Sequence, residues 1–439
     1  RNRGDGTFDT DEIDTPSVGL GMLFCIGVDY DQDGLTDIAL VERRGTVRFL
    51  RNLGGLRFAE QDALTDALPS ALAVAGFFDY DNDGFPDLLA LTYTADDVDY
   101  SVGTCGVVTE QSVQCTLDPN KVTPPTAGTL YHNDHGRHFT ATSLGPFAPG
   151  YANAVDFMDW DGDGWVDAFV SNDFGVNHLL RNEGGAGFTD ILPMLRANVP
   201  NFGMGVVFND FDRDGSWDVF VSNGGADELW LGKPDGTLEN HVADWGLVPA
   251  TSFKIGWGTA GADFNNDGWE DLVEANCLTF VGLDALRNNG TAAPEQAHLL
   301  FMNRQGKGFA PSLLPIEQRI QIRGEIGIAD YDGDGRVDVA IISTALHLYH
   351  NDTPTEGLHW LKVLVHEPLA TVIVADEQGE IGRGVTANRG PLGTSEQVLH
   401  FGLGSRTSVA SIDVRWPGGA HKRLTGPIAA DGLVEIRKD

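Results

Sequence analysis

The chain has 439 residues, with 29 basic against 64 acidic side chains and a formal net charge of −35. That balance argues against a nucleic-acid partner, which needs a basic face, and against anionic membrane surfaces. Hydrophobic residues at 41% suffice for globular cores, no run of about 18 apolar residues predicts a transmembrane helix, and the length exceeds one ordinary core.

The opening stretch, Arg1-Asn2-Arg3-Gly4-Asp5-Gly6-Thr7-Phe8, reads as half of a β-hairpin whose pattern returns further on. It is expected to complete a late repeat unit and close a ring. This explains Arg3-Gly4-Asp5 by the repeat rather than as an adhesion tripeptide. A first residue Arg1 in place of Met fits a removed leader or a trimmed chain.

The first strong signal is Asp29-Tyr30-Asp31-Gln32-Asp33-Gly34-Leu35-Thr36-Asp37. The pattern Asp-x-Asp-x-Asp-Gly-x-x-Asp recurs from Asp79, Asp159, Asp210, Asp263 and Asp330, at spacings of 50, 80, 51, 53 and 67 residues. Carboxylates this dense repel one another unless a cation lies among them. Ca²⁺ takes six to eight hard oxygens, and each copy can supply them. Position 1 gives Asp29, Asp79, Asp159, Asp210, Asp263 and Asp330. Position 3 gives Asp31, Asp81, Asp161, Asp212, Asn265 and Asp332. Position 5 gives Asp33, Asp83, Asp163, Asp214, Asp267 and Asp334. Position 7 offers the carbonyls of Leu35, Phe85, Trp165, Ser216, Trp269 and Arg336. Position 9 closes the cage with Asp37, Asp87, Asp167, Asp218, Asp271 and Asp338. About six Ca²⁺ ions are therefore expected. Six dications would offset twelve of the negative charges, so the acidity is partly a metal-binding signature.

An EF-hand would want an acid at position 12 between helices. Only Glu274 is acidic there, and it reads as coincidence; the others are Leu40, Ala90, Val170, Val221 and Ile341. The loops lead instead into apolar, strand-like runs such as Val219-Phe220-Val221. Position 2 is aromatic throughout (Tyr30, Tyr80, Trp160, Phe211, Phe264, Tyr331), which predicts a plugged β-hairpin cage.

Each unit then carries a second hairpin: an apolar strand, Arg-Asn or His-Asn, a Gly-rich turn, and Phe. Phe49-Leu50-Arg51-Asn52 leads to Phe58, Leu130-Tyr131-His132-Asn133 to Phe139, Leu179-Leu180-Arg181-Asn182 to Phe188, and Phe301-Met302-Asn303 to Phe309. The last unit ends at Leu348-Tyr349-His350-Asn351 without its turn and Phe. Four short strands at a period near 50 predict a β-propeller, seven-bladed, with six blades as the alternative. Two insertions, around 92–127 and 276–297, are expected as long loops on one face. The first holds Cys105 and Cys115, read as a disulfide; Cys25 and Cys277 sit in apolar strand contexts and read as buried thiols. His132, His135 and His138 read as surface groups.

After residues 1–351, a linker at 352–357 precedes a small all-β module at 358–439. Its expected strands lie near Trp360–Val365, Ala370–Ala375, Gln397–Phe401 and Ser411–Trp416. The cages with their Arg-Asn hairpins resemble FG-GAP/VCBS repeats of integrin-α-type propellers. His359-Trp360-Leu361-Lys362-Val363, His400-Phe401-Gly402-Leu403-Gly404 and Val414-Arg415-Trp416-Pro417-Gly418-Gly419 resemble an ASPIC/UnbV domain. Together they resemble the cartilage acidic protein family. One departure is Glu367-Pro368-Leu369-Ala370-Thr371, which replaces the family's Asn-Arg-x-x-Ile-Gly-Ala-Arg stretch. The resemblance implies calcium binding, secretion and interaction with protein or glycan. Some bacterial relatives are encoded beside natural-product pathways.

No Gly-x-Ser-x-Gly elbow, Walker loop or HExxH is present. On the strands entering the cages, expected to line the central channel, Asp156, Arg323 and Glu325 stand out as charged. A structural Arg323–Glu325 pair is the plain reading. An acid/base pair with Arg323 holding an anionic substrate is the functional one. The function expected is a calcium-stabilised propeller, secreted or periplasmic, that binds a protein, glycan or small molecule at the channel mouth and insertion loops. The alternative is a biosynthetic cyclase, lyase or hydrolase working at the channel.

Overall fold

The computed structural model describes Thr7 and residues 22–438 apart from 43–44, 56, 62–63, 70–71, 94–102, 110–111, 118–126, 146, 148–149, 174, 196, 198–201, 253, 277–296, 315–323, 343–344, 368, 386–392 and 396–397. For residues 22–24, 103–109, 112–117 and 393–395 the backbone alone is described. The expected ring-closing strand, Arg323, Cys277 and most of the second insertion lie outside the described residues.

Each of the first five repeats folds into one four-stranded antiparallel sheet, and the sixth contributes three antiparallel strands. The first contains β1 (Met22–Val28), β2 (Asp37–Glu42), β3 (Thr46–Asn52) and β4 (Phe58–Gln61). The second contains β5 (Leu72–Phe78) and β6 (Asp87–Thr92), then, beyond the hairpin β7 (Gly103–Thr109) and β8 (Ser112–Leu117), β9 (Thr129–Asn133) and β10 (Phe139–Ala141). The third runs through β11 (Ala152–Met158), β12 (Asp167–Asn172), β13 (His178–Asn182) and β14 (Phe188–Asp190). The fourth runs through β15 (Gly203–Asn209), β16 (Asp218–Asn223), β17 (Glu228–Gly232) and β18 (Leu238–Asn240). The fifth runs through β19 (Gly256–Ala262), β20 (Asp271–Asn276), β21 (Leu299–Asn303) and β22 (Phe309–Leu313). The sixth has β23 (Glu325–Ala329), β24 (Asp338–Ile342) and β25 (Leu346–Tyr349).

These sheets are propeller blades. The first strand of each packs against the first strands of its neighbours, from β1 on β5 to β19 on β23. Crowding at the ring's centre explains why those strands are rich in Gly and Ala. A Cβ on Gly205 would lie 2.4 Å from the carbonyl oxygen of Trp257, and one on Gly76 would lie 2.5 Å from the Phe157 ring. Second strands, covered on both sides, are buried along their whole length in β6, β12, β16 and β20. Their middles accordingly read as short apolar runs, such as Leu88–Leu91 and Val219–Val221, rather than as alternation.

The C-terminal module is a sandwich. β30 (Val398–Gly404), β26 (His359–Val365) and β33 (Gly432–Ile436) form one sheet. β28 (Glu380–Val385), β27 (Thr371–Ala375), β31 (Ser408–Arg415) and β32 (His421–Ala429) form the other. Leu361, Val363, Val372, Val374, Ile412 and Val414 meet between them, each fully buried. The module is not self-contained: β29 (Gly393–Ser395) leaves it and pairs in parallel with β23 of the sixth blade.

Two cysteine expectations meet the structure. Cys25 is free but exposed rather than buried, because it stands on a first-strand edge. Cys105 and Cys115 stand directly opposite each other in the β7–β8 ladder.

Candidate metal centres

Each acidic loop joins the first strand of a blade to the second, and its shape is held by the carboxylates themselves. In all six loops, position 1 accepts the N–H of the position-6 Gly, as in Gly84 N to Asp79 Oδ2 at 2.8 Å and Gly335 N to Asp330 Oδ2 at 2.8 Å. Position 5 accepts the N–H of position 7, as in Phe85 N to Asp83 Oδ1 at 2.9 Å. Position 4 is left-handed in every copy, with φ of 57° at Gln32, 58° at Asn82, 74° at Gly162, 57° at Arg213, 58° at Asn266 and 78° at Gly333. Gly and Asn tolerate that conformation best, which explains their recurrence there.

Position 9 is buried, and in five loops it is bonded at both ends; in the first, Asp37 Oδ2 has no donor. Asp167 Oδ2 accepts Trp160 N at 2.8 Å and its Oδ1 accepts Asn182 N at 2.7 Å. The hairpin residue repeats that second bond in every blade, through Asn52, Asn133, Gly232, Asn303 and Asn351. The same Asn side chains bridge blades. Asn182 donates to Val166 O of its own loop and to Tyr80 O of the preceding one. Asn133, Asn303 and Asn351 reach Tyr30, Phe211 and Phe264 in the same way. The aromatic residue at position 2 thus plugs the core with its ring and anchors the next blade with its carbonyl.

Negative charge is poorly compensated in these loops. Burial, followed by repulsion from neighbouring carboxylates, raises Asp79 to about 6, Asp37 to about 7 and Asp87 to about 9. Asp167 rises to about 8, and Asp218, Asp263 and Asp271 rise well above the ordinary carboxylate range. Asp31 Oδ1, Asp37 Oδ2 and Asp159 Oδ1 are buried oxygens with no hydrogen-bond donor. Orphaned acceptors of this kind require an ion or water. Within each of the sets Asp29–Asp31–Asp33, Asp79–Asp81–Asp83 and Asp159–Asp161–Asp167, one oxygen per residue lies within 4.8 Å of the others. All-oxygen sets suit a hard cation. The residues fit: side chains at positions 1, 3, 5 and 9 would hold the ion, with the position-7 carbonyl. The ion would supply positive charge and loop rigidity.

FG-GAP-like repeats match residues 29–90, 159–221 and 210–274, and the ASPIC and UnbV domain matches 370–439. The chain is an FG-GAP-repeat protein with an ASPIC and UnbV domain. Cartilage acidic protein 1 of Xenopus tropicalis is 27% identical over 270 residues, covering 58% of this chain and 40% of that protein. The Mus musculus protein of the same name is 26% identical over 291 residues, covering 62% and 42%. The chain thus spans less than half the length of these relatives. Among solved structures, BBS1N in complex with ARL6DN aligns at TM-score 0.44 and 9% identity, over 94% of this chain and 93% of that one. Bacillus licheniformis rhamnogalacturonan lyase PL11 aligns at 0.39 and 12%, over 95% and 72%.

Five loops of this FG-GAP protein fall inside the matched repeats; the sixth, at Asp330, lies outside them. Sequence reasoning missed the basic residue before the hairpin Asn. Arg51 Nε lies 2.7 Å from Asp31 Oδ2, His350 Nε2 lies 2.9 Å from Asp332 Oδ2, and His132 Nδ1 lies 3.2 Å from both Asp81 and Asp87. His132 therefore belongs to the second loop, unlike His135 and His138, which pair with surface Asp134 and Asp66. Its signal was present: it stands where the repeat elsewhere writes Arg. Of the channel candidates, Asp156 is buried on β11 of the third blade and accepts Phe157 N at 2.9 Å. Glu325 begins β23 of the sixth. The fourth and fifth blades lie between them in chain order.

A second polar cluster in the FG-GAP propeller had no motif. Glu274 leaves β20 across Gly256, where a Cβ would lie 2.9 Å from Glu274 Oε1. Its carboxyl faces that of Asp227, which accepts Asn223 N at 3.0 Å. Both acids are buried, and Lys254 is the nearby positive charge on Glu274. Burial, then the charge of Glu274, raises Asp227 well above the carboxylate range, so Asp227 holds the shared proton. A carboxyl group whose folded pKa is raised binds more protons folded than unfolded. Stability from this pair is therefore present at low pH and lost as pH rises from about 4 through the raised value. Asp227→Asn needs no proton to donate to Glu274. Its melting temperature relative to wild type should rise as pH climbs from the ordinary carboxylate range through the raised value. Parallel melting curves across that range would sink this assignment.

Proposed function

We propose that the chain is a calcium-stabilised extracellular or periplasmic propeller that binds a protein, glycan or small ligand on the face opposite its acidic loops. The observation that carries the reading is the placement of the insertions. The first leaves after Thr92 and returns at Thr129, the ends of β6 and β9 remote from the loop at 79–87. The second leaves after Asn276, likewise remote from the loop at 263–271. The C-terminal module takes the other face, against the loops, as Lys362 and Gly404 demonstrate by their bonds to Asp330 and Asn266. The Asp227–Glu274 cluster lies toward the insertion face, at the far end of β16 and β20.

Calcium is the cation that best suits oxygen-only loops with carboxylates at fixed alternate positions. Millimolar calcium and the opposed Cys105 and Cys115 both support an oxidising, extracytoplasmic setting. Directly opposed strand residues have Cα separations of about 4.5–5.5 Å, within the range a disulfide spans. Calorimetric titration of chelator-stripped protein should find about six calcium sites, one per loop. For the ligand face, 94–126 is replaced by a short Gly-Ser turn and both proteins are screened on glycan and protein arrays. Binding by wild type that disappears in the variant supports the assignment, and binding that persists unchanged removes it.

A further inference from the structure

The C-terminal module rests on the acidic loops themselves. Gly404 N donates to Asn266 O at 2.9 Å and Gly418 N donates to Gly164 O at 2.8 Å. Asn266 is position 4 of the fifth loop and Gly164 is position 6 of the third. His400 Nε2 meets Asn266 Oδ1 at 2.8 Å while its ring stacks on Trp360. Gly402 passes so close to Asp263, position 1 of the fifth loop, that a Cβ would lie 1.8 Å from its Oδ2. Lys362 Nζ sits 2.7 Å from Asp330 Oδ2, position 1 of the sixth loop. At the fourth loop, Arg383 stacks over Trp217 at 5.1 Å.

The loops are also tied side to side. Asn82 of the second loop donates to Gly164 O of the third, and Asn266 of the fifth donates to Gly335 O of the sixth. The module therefore reads the conformation of the loops, and several of the groups it reads are in or beside the cation-holding set. Three carboxylates in the fifth loop, and four in each of the third and sixth, repel one another, so that conformation depends on the ion.

We propose that seating of the C-terminal module on the propeller and cation loading of the third, fifth and sixth loops are one coupled equilibrium, in which the loaded loops form the module's docking surface. The proposal rests on the calcium reading of the loops. Its physical content is reciprocity: if the ion favours the seated module, the seated module tightens the ion by the same factor. The segment that departs from the family pattern also contributes. Leu369 adopts φ 58° and is buried with Val155, Phe157 and Leu180 of the propeller. That apolar contact is indifferent to the ion and keeps the module close when the loops are empty.

Amide hydrogen exchange on the full chain tests the coupling. Peptides containing Gly404 and Gly418 should exchange about tenfold faster or more in chelator than in calcium. Peptides across Val372–Val374, inside the module's own core, should stay protected in both. His400→Phe keeps the stacking on Trp360 and removes the bond to Asn266. In calorimetry it should weaken one calcium-binding step about fivefold or more. Calcium that binds normally while exchange at Gly404 and Gly418 is unchanged, with a wild-type titration for His400→Phe, overturns the coupling alone. A titration with no calcium binding overturns the reading of the loops and the coupling with it.

Discussion

Excess chelator should lower the melting temperature of this protein by about 20 °C or more, as the calcium reading of the loops requires. The size follows from linkage. A site that exists only in the folded chain stabilises it by about 2.7 kcal/mol when the free ion is at a hundred times its dissociation constant. Six loops of that kind would together reach about 16 kcal/mol, as large as the whole stability of an ordinary domain. Among the described residues, basic side chains reach only some of the loop oxygens. Arg51, His132 and His350 touch the outer carboxylate oxygens, but Asp31 Oδ1, Asp37 Oδ2 and Asp159 Oδ1 stay without a donor. Thermal melts in excess chelator and in millimolar calcium check this directly. Superimposed curves would falsify the view that the ion holds the fold.

The second large effect is expected at a hairpin asparagine. Asn182 is 1% exposed and its side chain makes three bonds, to Tyr80 O at 2.8 Å, to Val166 O at 3.2 Å and from Gly185 N at 2.8 Å. Truncation to alanine leaves two buried carbonyls and one N–H without partners. At about 1–3 kcal/mol for each buried group left unpaired, with some recovered by relaxation, Asn182→Ala should cost about 3–5 kcal/mol. Chemical denaturation in saturating calcium measures it. Arg181→Ala, beside it but exposed and hydrogen-bonded to Glu183, is the control and should melt close to wild type. A natural comparison is built in, since the fourth blade carries Gly232 at this position. A Cβ there would lie 2.3 Å from Trp217 O, so no asparagine can enter. The junction between the third and fourth blades therefore lacks this bridge. If Asn182→Ala costs no more than the control, the asparagines merely decorate the hairpins.

Both predictions depend on features of different legibility. The nine-residue loop is local chemistry. Its carboxylates, its Gly at position 6 and its aromatic at position 2 act on atoms a few residues away, so the spacing alone announces them. The left-handed position 4 was equally visible in Gly162, Asn82, Asn266 and Gly333, because only a few residue types tolerate that backbone. The module's strands at His359–Val365 and Ser408–Arg415 follow from alternation, and the expectation there was sound. His132 was readable in principle as a loop residue, but its neighbours His135 and His138 drew it toward a surface reading.

What the sequence by itself determined is the repeat: six acidic cages, the hairpin that follows each, the two insertions and the change of pattern near residue 352. These are set by contacts within about one blade, and short-range contacts leave short-range patterns. Only the tertiary structure decided what the blades do to one another. The bridge from Asn182 to Tyr80 spans 102 residues, and the bond from His400 to Asn266 spans 134. The Asp227–Glu274 pair forms because Gly256 opens a path between two blades. No local spacing encodes such meetings, because they depend on which faces the ring turns toward each other and on which face the C-terminal module covers.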